Sequence, residues 1–446
     1  MRLELSQVLA RAVKYLLVVY TVLSLAFTAR HFYSSHPSNV NQDPAPIYPR
    51  ADDEFVIPRP QQPLTEPDSI DASQPAQQQE TESKAGGHTV IWSSEEGPVQ
   101  PMRESYVLSK VFADSLGPSN LTPYYRRGQT QFEADDITLS TLVTRNRFHV
   151  LSRLASHYRG PISAAIHVND DETQEEVLNE LHEVYASNPD MQDYVDIHLI
   201  LDPFDRQFNM WRNVAKFFAR TDYIMMLDVD FHLCTNFRDA IRRSPEAMAM
   251  LASGTAALVV PAFEYVHGPD GQDWHTFPTH KDALLEEVES GRLDMFHKSW
   301  LKGHGSTNYT RWYESDTLYK VEDYNFSYEP YIIYKREGTP WCDERFIGYG
   351  ANKAACLYEI YLSGIDYWVL PNDFLIHQTH QYPEETRRKE RQYNRKLYSN
   401  FREELCLRYA RNFIAAGEWE SDRAHNLREE CQKIRGFRSA MNLPSV

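Results

Sequence analysis

The chain has 446 residues, of which 42% are hydrophobic and 13% aromatic, enough for one large or two average domains with a sizeable core. The formal net charge of −17 argues against a nucleic-acid-binding surface, which requires clustered Lys and Arg. The five cysteines form no Cys-x-x-Cys pair, so a structural zinc site is not expected, and their odd number leaves at least one thiol outside any disulfide.

The N-terminus carries an apolar run that predicts a transmembrane signal anchor. Residues 15–29 are uncharged and follow a basic segment, residues 1–14. By the positive-inside rule the basic segment stays cytosolic, so the rest of the chain is expected in the lumen, in a single-pass type II orientation. The run is short for about 30 Å of hydrocarbon, and a cleaved signal peptide is the alternative. Both interpretations place the folded part in the secretory pathway, and the anchor, which is the favoured interpretation, gives the Golgi membrane as the expected location.

Residues 30–130 predict a largely disordered stem. Pro, Gln, Ser, Asp and Glu dominate most of this segment, and its apolar residues follow no period. Such a composition cannot bury enough apolar surface to offset the loss of conformational entropy on ordering. The folded domain is therefore predicted at 131–415, followed by a C-terminal tail at 416–446. Sequons that would fit glycosylation in the lumen lie at Asn120, Asn308 and Asn325.

Strands and helices alternate through the predicted domain. This alternation predicts βαβ units and a parallel sheet, and so the α/β class. No Gly-x-Gly-x-x-Gly follows the first strand, which disfavours a dinucleotide-dependent oxidoreductase. The predicted strands are 136–144, 162–168, 195–201, 223–227, 257–261 and 367–370, and the predicted helices are 147–158, 173–186, 211–219, 352–363 and 383–413.

The fourth strand ends in an Asp-x-Asp pair. Its apolar residues, 223–227, are typical of a buried parallel strand, and Asp228 and Asp230 follow directly. Ligands of open α/β sheets bind beyond the carboxyl ends of the strands. Residues two apart on an extended chain point the same way, so two hard oxygen ligands would suit Mg²⁺ or Mn²⁺ with bound phosphate. The pattern also occurs where acids merely cap a loop.

Further candidate residues lie before and after this strand. Arg212 and Asn213 precede it on a helix, where Arg212 would either brace the carboxylates or reach a nucleotide, or else remain a solvated charge. Near the C-terminus, His377 and His380 follow an apolar stretch. A neutral imidazole completes the coordination of Mn²⁺ in many sites, although a single histidine is more often structural.

The stretch from Pro340 to Lys353 combines acids with glycines. Asp343 and Glu344 are candidates for removing a proton from an attacking hydroxyl, and the alternative is a helix-entry loop with capping acids. Gly348 and Gly350 would let the backbone approach a bound sugar closely.

Taken together, these motifs resemble glycosyltransferase family 49, which includes the glucuronyltransferase half of LARGE-type enzymes and a related β-1,4-glucuronyltransferase. The resemblance covers roughly residues 130 to 410. This chain has one such domain and not the tandem pair of LARGE-type enzymes, so a polymerase that alternates two sugars is not implied. The matching residues are Gly160 to Ser163, Arg212 to Ala215, Leu227 to Phe231, Asp343 to Phe346, Gly348 to Gly350, Val369 to Asn372, and Ile376 with His377.

The resemblance implies a GT-A type, Rossmann-like domain with a mixed central sheet, a UDP-sugar donor and inversion at the anomeric carbon. It implies Mn²⁺, or Mg²⁺, held by Asp228, Asp230 and His377. Asp343 is then the expected catalytic base, with Glu344 second. The residues expected to bind the donor are Thr144, Arg147, Arg212, Asn213, Asp228, Gly348 and Gly350.

The expected function is metal-dependent transfer of a sugar, such as glucuronic acid, xylose or N-acetylglucosamine, from a UDP-sugar to a glycan or glycoprotein acceptor. Two other functions remain open from the sequence. An inactive carbohydrate-binding or scaffold protein would keep the fold without turnover. A HAD-like phosphatase also carries Asp-x-Asp after an apolar strand, but it requires Thr or Val where this chain has His232.

Overall fold

A computed structural model describes residues 89–94, 97–111, 120–380 and 387–441. The predicted cytosolic tail, the predicted anchor at 15–29 and the first part of the predicted stem lie outside these residues. Among the residues that are described, no helix is both long enough and apolar enough to cross a bilayer.

Strands form where short runs rich in β-branched and aromatic residues are bounded by turns, as in Tyr-Ile-Ile-Tyr-Lys at Tyr331–Lys335. Most are buried on both sides, which explains their continuous apolar character. The described strands are β1 (Thr89–Ser94), β2 (Gly97–Arg103), β3 (Asn120–Arg126), β4 (Ile137–Val143), β5 (Ile162–Asn169), β6 (Val195–Asp202), β7 (Tyr223–Met226), β8 (Phe231–Leu233), β9 (Ala256–Val260), β10 (Ala262–Tyr265), β11 (Leu293–Met295), β12 (Tyr319–Lys320), β13 (Tyr331–Lys335), β14 (Asp366–Val369) and β15 (Leu375–His377).

Several helices begin and end at residues suited to capping. Ser244 accepts a hydrogen bond from the N–H of Ala247 at one helix start, and Gly254 ends the same helix in the left-handed conformation. The described α-helices are α1 (Glu104–Val111), α2 (Phe148–Tyr158), α3 (Gln174–Ser187), α4 (Pro189–Tyr194), α5 (Phe208–Phe217), α6 (Phe237–Arg242), α7 (Pro245–Ser253), α8 (Lys281–Glu289), α9 (Leu301–His304), α10 (Tyr309–Glu314), α11 (Asn352–Leu362), α12 (Arg387–Ala415), α13 (His425–Cys431) and α14 (Arg435–Ala440).

The central sheet has nine strands in the order β12-β14-β9-β13-β7-β4-β5-β6-β3. Strands β7, β4, β5 and β6 run parallel, as the alternation of strands and helices predicts. Strand β13 lies antiparallel between β7 and β9, so the sheet is mixed. The predicted α/β class with a mixed central sheet is confirmed.

Strand β7 lies near the middle of this sheet, between β13 and β4, and both of its faces are covered. Tyr223, Met225 and Leu227 pack into one core, and Ile224 and Met226 pack into the core on the other side. The residues that follow Leu227 therefore emerge at the carboxyl edge of the parallel strands, where α/β sheets bind their ligands.

A second sheet of four strands, in the order β11-β10-β15-β8, adjoins this edge. Strand β8 begins directly after Asp230, and its antiparallel partner β15 ends at His377, which lies opposite Phe231. The pairing brings two distant segments of the chain to the end of β7.

The folded part begins earlier than the predicted boundary at 131. Strands β1 and β2, helix α1 and strand β3 all lie within the interval 30–130 that was predicted as stem. Strand β3 pairs antiparallel with β6 and forms an edge of the central sheet. As an edge strand, β3 has a strand neighbour on one side only, so it forms with fewer apolar residues than the central strands.

The predicted tail at 416–446 is also wrong for residues up to 441. Helices α13 and α14 bury Leu427 and Phe437 in the main core. A disulfide joins Cys406 of α12 to Cys431 of α13, and a second joins Cys342 to Cys356. The remaining thiol, Cys234, is buried and unpaired, as the odd cysteine count predicts.

Candidate active site

Asp228 and Asp230 leave β7 at the carboxyl edge of the sheet and contact different neighbours. Asp228 accepts hydrogen bonds from the Tyr331 hydroxyl at 2.9 Å and from Lys353 Nζ at 3.1 Å. Asp230 Oδ1 lies 2.5 Å from Arg147 Nε, and its Oδ2 lies 3.1 Å from a ring nitrogen of His380. The two carboxylates therefore belong to two clusters, and both clusters act electrostatically on His377.

The first cluster has the donor set of a metal site. Ligand atoms of Asp230, His377 and His380 all lie within 4.8 Å of one another. One carboxylate and two imidazoles form a mixed oxygen and nitrogen set that Mn²⁺ accepts. The predicted pair of Asp230 and His377 is thus brought together and His380 joins it, whereas the third predicted ligand, Asp228, lies outside this group.

Backbone pairing assembles this cluster. The N–H of Gln378, between the two histidines in sequence, donates to the carbonyl of Asp230 at 2.9 Å. The Gln378 side chain accepts from Arg153 of α2 and donates to the carbonyl of Gln272 at 2.7 Å. Backbone and side-chain hydrogen bonds of Gln378 therefore hold the segment from His377 to His380 in place.

Burial also sets the charge of the inner histidine. His377 is only 6% exposed. Burial lowers the pKa of His377 to about 4, although Asp230 acts in the opposite direction. The ring is neutral at physiological pH, which is the form that binds a metal ion.

The second cluster surrounds Asp228 with cations. Arg212 of α5 lies 3.5 Å from Asp228, in addition to Lys353. Burial alone would raise the pKa of Asp228, but Lys353 and Arg212 hold it below its ordinary value. Lys353 is itself buried, which lowers its pKa, and its ammonium lies over the Tyr331 ring. The cluster concentrates positive charge beside the candidate metal site.

Helix α5 connects the Asp228 cluster to the loop before α11. Asn209 donates to the carbonyls of Asp343 and Asn352, at 2.8 and 3.0 Å. Arg212 donates to the side chain of Asn352 at 2.8 Å, and Asn213 donates to Glu344 Oε1 at 2.7 Å. The side chains come from one face of the helix, because residues three or four apart share a face. Arg212 thus contacts the predicted metal ligand Asp228, and Asn213 contacts Glu344, the second predicted base.

Asp343 is held by an arginine. Both of its carboxylate oxygens accept hydrogen bonds from the Arg345 guanidinium, at 2.7 to 3.0 Å. Arg345 also lies 3.1 Å from Glu404 of α12. A bidentate pair with a guanidinium holds the carboxylate in one orientation. The catalytic role of Asp343 and Glu344 stays a prediction.

Gly348 and Gly350 have a structural partner in α12. Both have positive φ, at 80° and 93°, where a side chain is strained. A Cβ on Gly348 would lie 2.5 Å from Glu390, and one on Gly350 would lie 3.0 Å from Arg391. The close approach that these glycines permit is to a helix of this chain, and their predicted contact with a donor stays a prediction.

Thr144 and Arg147 lie just beyond the end of β4, next to β7 in the sheet. Arg147 reaches Asp230, so it takes part in the first cluster. The Thr144 hydroxyl donates to the side chain of Asn146 at 2.9 Å and contacts neither aspartate. The sequence analysis did not predict a role for Tyr331 or Lys353, which both belong to the second cluster. It noted His380 but did not assign it as a metal ligand.

A protein-family model described as "Glycosyl-transferase for dystroglycan" matches residues 136–207 and 202–410, which include both clusters. The xylosyl- and glucuronyltransferase LARGE2 of Rattus norvegicus is 36% identical over 248 residues, which is 55% of this chain and 34% of that protein. The xylosyl- and glucuronyltransferase LARGE1 of Homo sapiens is 31% identical over 255 residues, which is 56% of this chain and 32% of that protein.

The chain spans about a third of the length of these curated relatives. The crystal structure of GalNAc-T7 with UDP, GalNAc and Mn²⁺ aligns with 70% of this chain and 55% of that chain, at 12% identity and a TM-score of 0.35. This structural likeness is too distant to support a conclusion about fold or ligand.

Proposed function

Because the chain belongs to the family of glycosyl-transferases for dystroglycan, we propose that it transfers a sugar from a UDP-sugar to a hydroxyl group of a glycan, with inversion, on a GT-A type domain. One observation carries the proposal. A carboxylate and two imidazoles, the neutral His377 among them, lie beside a cation-rich cluster at the carboxyl edge of the sheet. This arrangement combines a divalent-metal site with positive charge for a diphosphate.

The proposal assigns the metal to Asp230, His377 and His380. A bound Mn²⁺ or Mg²⁺ would neutralise the charge that develops on the diphosphate as UDP leaves. Lys353 and Arg212 contribute fixed positive charge at the same edge, and their ion pairs with Asp228 hold them in place without reorganisation during the reaction. Arg147 fixes Asp230, and Thr144 lies at the end of the neighbouring strand, where a nucleotide would pass.

The printed names of the relatives suggest the donor. LARGE1 and LARGE2 are called xylosyl- and glucuronyltransferases, so we include UDP-glucuronic acid and UDP-xylose as first donors, with UDP-N-acetylglucosamine as a third. The acceptor would be a glycan or a glycoprotein.

The proposal includes a location in the Golgi lumen, with the segment 15–29 as anchor. Two disulfides support an oxidising compartment, because disulfides persist in the secretory pathway and are rare in the cytosol.

The test is UDP release by the purified full chain with each of the three UDP-sugars and Mn²⁺. We expect release with one donor, its loss in Asp230→Asn, and wild-type release in Asp270→Asn, which changes an exposed aspartate outside both clusters. Hydrolysis of a phosphate ester without UDP release would favour a phosphatase. Binding of donors without release would favour a binding protein, and either result would refute the proposal.

A further inference from the structure

Two of the sequons, Asn308-Tyr-Thr and Asn325-Phe-Ser, lie where the structure describes side chains. A sequon is glycosylated on the amide nitrogen of its asparagine, and the bulky glycan requires a surface position with a free path to solvent. Asn308 and Thr310 are both exposed, whereas Asn325 and Ser327 are both half-buried. The two sequons therefore differ in how well the folded chain can carry a glycan.

The backbone of Asn308 is fixed although its side chain is exposed. Its φ of 56° is left-handed, a conformation in which asparagine is enriched. Its N–H donates to the carbonyl of Gly305 at 2.9 Å, and its carbonyl accepts from the N–H of Trp312 at 3.0 Å. The fully buried Trp312 in turn donates from its indole to the carbonyl of Leu370 at 2.8 Å. Asn308 is thus held at a defined place on the surface of α10.

The side-chain amide of Asn308 uses its oxygen within the protein and leaves its nitrogen to solvent. Oδ1 accepts a hydrogen bond from the N–H of Arg311 at 3.2 Å. Asn188 and Asn236 start helices in the same way, but their Nδ2 atoms also donate within the chain, to a hydroxyl and to a carboxylate, each at 2.8 Å. Among the described residues, Nδ2 of Asn308 has no such acceptor. The atom that a sequon modifies is therefore available here.

Asn325 lies in a packed region. Its N–H donates to the Ser306 hydroxyl at 3.1 Å, and its Oδ1 accepts from the N–H of Ser327 at 2.9 Å. The ring centre of the next residue, Phe326, is only 3.7 Å from the guanidinium carbon of Arg402 on α12. A glycan on Asn325 would start between these segments, so the fold disfavours it.

We propose that Asn308 carries an N-linked glycan and that Asn325 does not, an inference that rests on the proposed location in the secretory pathway. The glycan comes from an oligosaccharide linked to a lipid diphosphate. Nδ2 of Asn308 forms a bond to the anomeric carbon of the first sugar and loses a proton, which solvent takes up. The bond from that carbon to the phosphate oxygen breaks, and its electron pair leaves with the lipid diphosphate.

The test expresses the full chain in a eukaryotic secretory host and maps glycans on its peptides by mass spectrometry. Enzymatic removal of an N-linked glycan converts the asparagine to aspartate, which marks the occupied position. We expect the mark at Asn308 and not at Asn325. Asn308→Asp keeps the oxygen that accepts from Arg311 but has no amide nitrogen, so it loses the glycan.

Variants of Thr310 separate modification from a purely structural role of Asn308. Thr310→Ser keeps the sequon and should keep the glycan, whereas Thr310→Ala should lose it although Asn308 is unchanged. If Asn308 served only to start α10, these two variants would have the same mass apart from the substitution itself, and that result would contradict the inference.

Ser253→Asn supplies the control for the compartment. It creates the sequon Asn-Gly-Thr with Gly254 and Thr255, at the exposed end of α7. A glycan on this variant shows that the chain enters the lumen, whatever happens at Asn308.

Two results would overturn the inference while leaving the location intact. They are a glycan on Asn325, and an unmodified Asn308 in a chain whose Ser253→Asn variant is glycosylated. A chain that carries no glycan even as Ser253→Asn refutes the proposed location, and this inference with it. UDP release by the same preparations tests the proposed activity separately, because Asn308 lies outside both clusters.

Discussion

Lys353→Met tests whether the buried pair with Asp228 stabilises the site. The substitution keeps the side chain through its fourth atom and removes the charged ammonium. At 3.1 Å, two unit charges attract by about 5 kcal/mol at an effective dielectric constant of about 20. Two features reduce this figure. The Asp228 side chain is 35% exposed, so solvent screens it, and Arg212 at 3.5 Å remains as a second cation.

We therefore expect a coupling of about 1 to 2 kcal/mol between the two side chains. The assay is urea unfolding of the wild type, Lys353→Met, Asp228→Asn and the double variant, which isolates the pairwise free energy. The matched control is the pair of Lys320 and Asp366, whose nitrogen–oxygen distance is 2.8 Å and whose side chains are each about one third exposed. Its coupling should lie below about 0.5 kcal/mol, as for other surface pairs. A Lys353–Asp228 coupling no larger than that of the control would refute the reasoning.

Three further predictions concern stability. Gly338→Ala and Gly348→Ala each place a side chain at positive φ, which should lower the free energy of unfolding by about 1 to 2 kcal/mol. Only Gly348→Ala adds a clash with α12, so its total loss in urea unfolding should be about 3 kcal/mol. Equal losses for the two variants would contradict this prediction. Burial lowers the pKa of His198 to about 3 from an ordinary 6.5, so the folded chain binds fewer protons between these values. The unfolding free energy should fall by about 2 kcal/mol from this residue as the pH drops from about 6.5 to about 5, and His198→Asn should remove that part of the slope; an unchanged slope would count against it. Replacing both Cys406 and Cys431 by Ser removes a disulfide that joins residues 25 apart in sequence. The free energy of unfolding should fall by about 3 kcal/mol. A loss under about 1 kcal/mol would show that the disulfide is dispensable.

The sequence located the edge of the sheet because that signal is local. A continuous apolar run followed by two acids identifies β7 and the residues beyond it, and the boundaries of β4, β5 and β6 follow from similar runs. Strand β13 was not predicted, although its residues are apolar. Its place between β7 and β9 depends on long-range pairing, so the contact of Tyr331 with Asp228 could not be predicted from the sequence.

The metal cluster was predicted in part for the same reason. His377 ends β15, and its distance from Asp230 depends on the pairing of β15 with β8. Once these strands pair, His380 also reaches Asp230, and Asp228 turns to Lys353 and Arg212. The alternation rule for an extended chain did not hold here, because β7 ends at Met226 and the two aspartates lie beyond the regular strand.

The glycines show a further limit of local patterns. Gly348 and Gly350 indicate a close approach, and the structure has one. The approaching group is α12, which lies about 40 residues later in the chain, so the sequence could not distinguish a helix from a sugar. Similarly, the sequence left Asp343 and Glu344 as either proton acceptors or capping acids of a loop, and it did not predict that Arg345 and Asn213 bind them.

Binding of Mn²⁺ in the presence of UDP tests the proposed site most directly. Electron paramagnetic resonance of free Mn²⁺ should show one bound ion per full chain, with tighter binding when UDP is added. His380→Gln should weaken this binding at least tenfold, whereas His275→Gln, which changes an exposed histidine paired with Asp273, should leave it unchanged. Equal binding by both variants and the wild type would place the metal, and the diphosphate with it, somewhere other than the edge of β7.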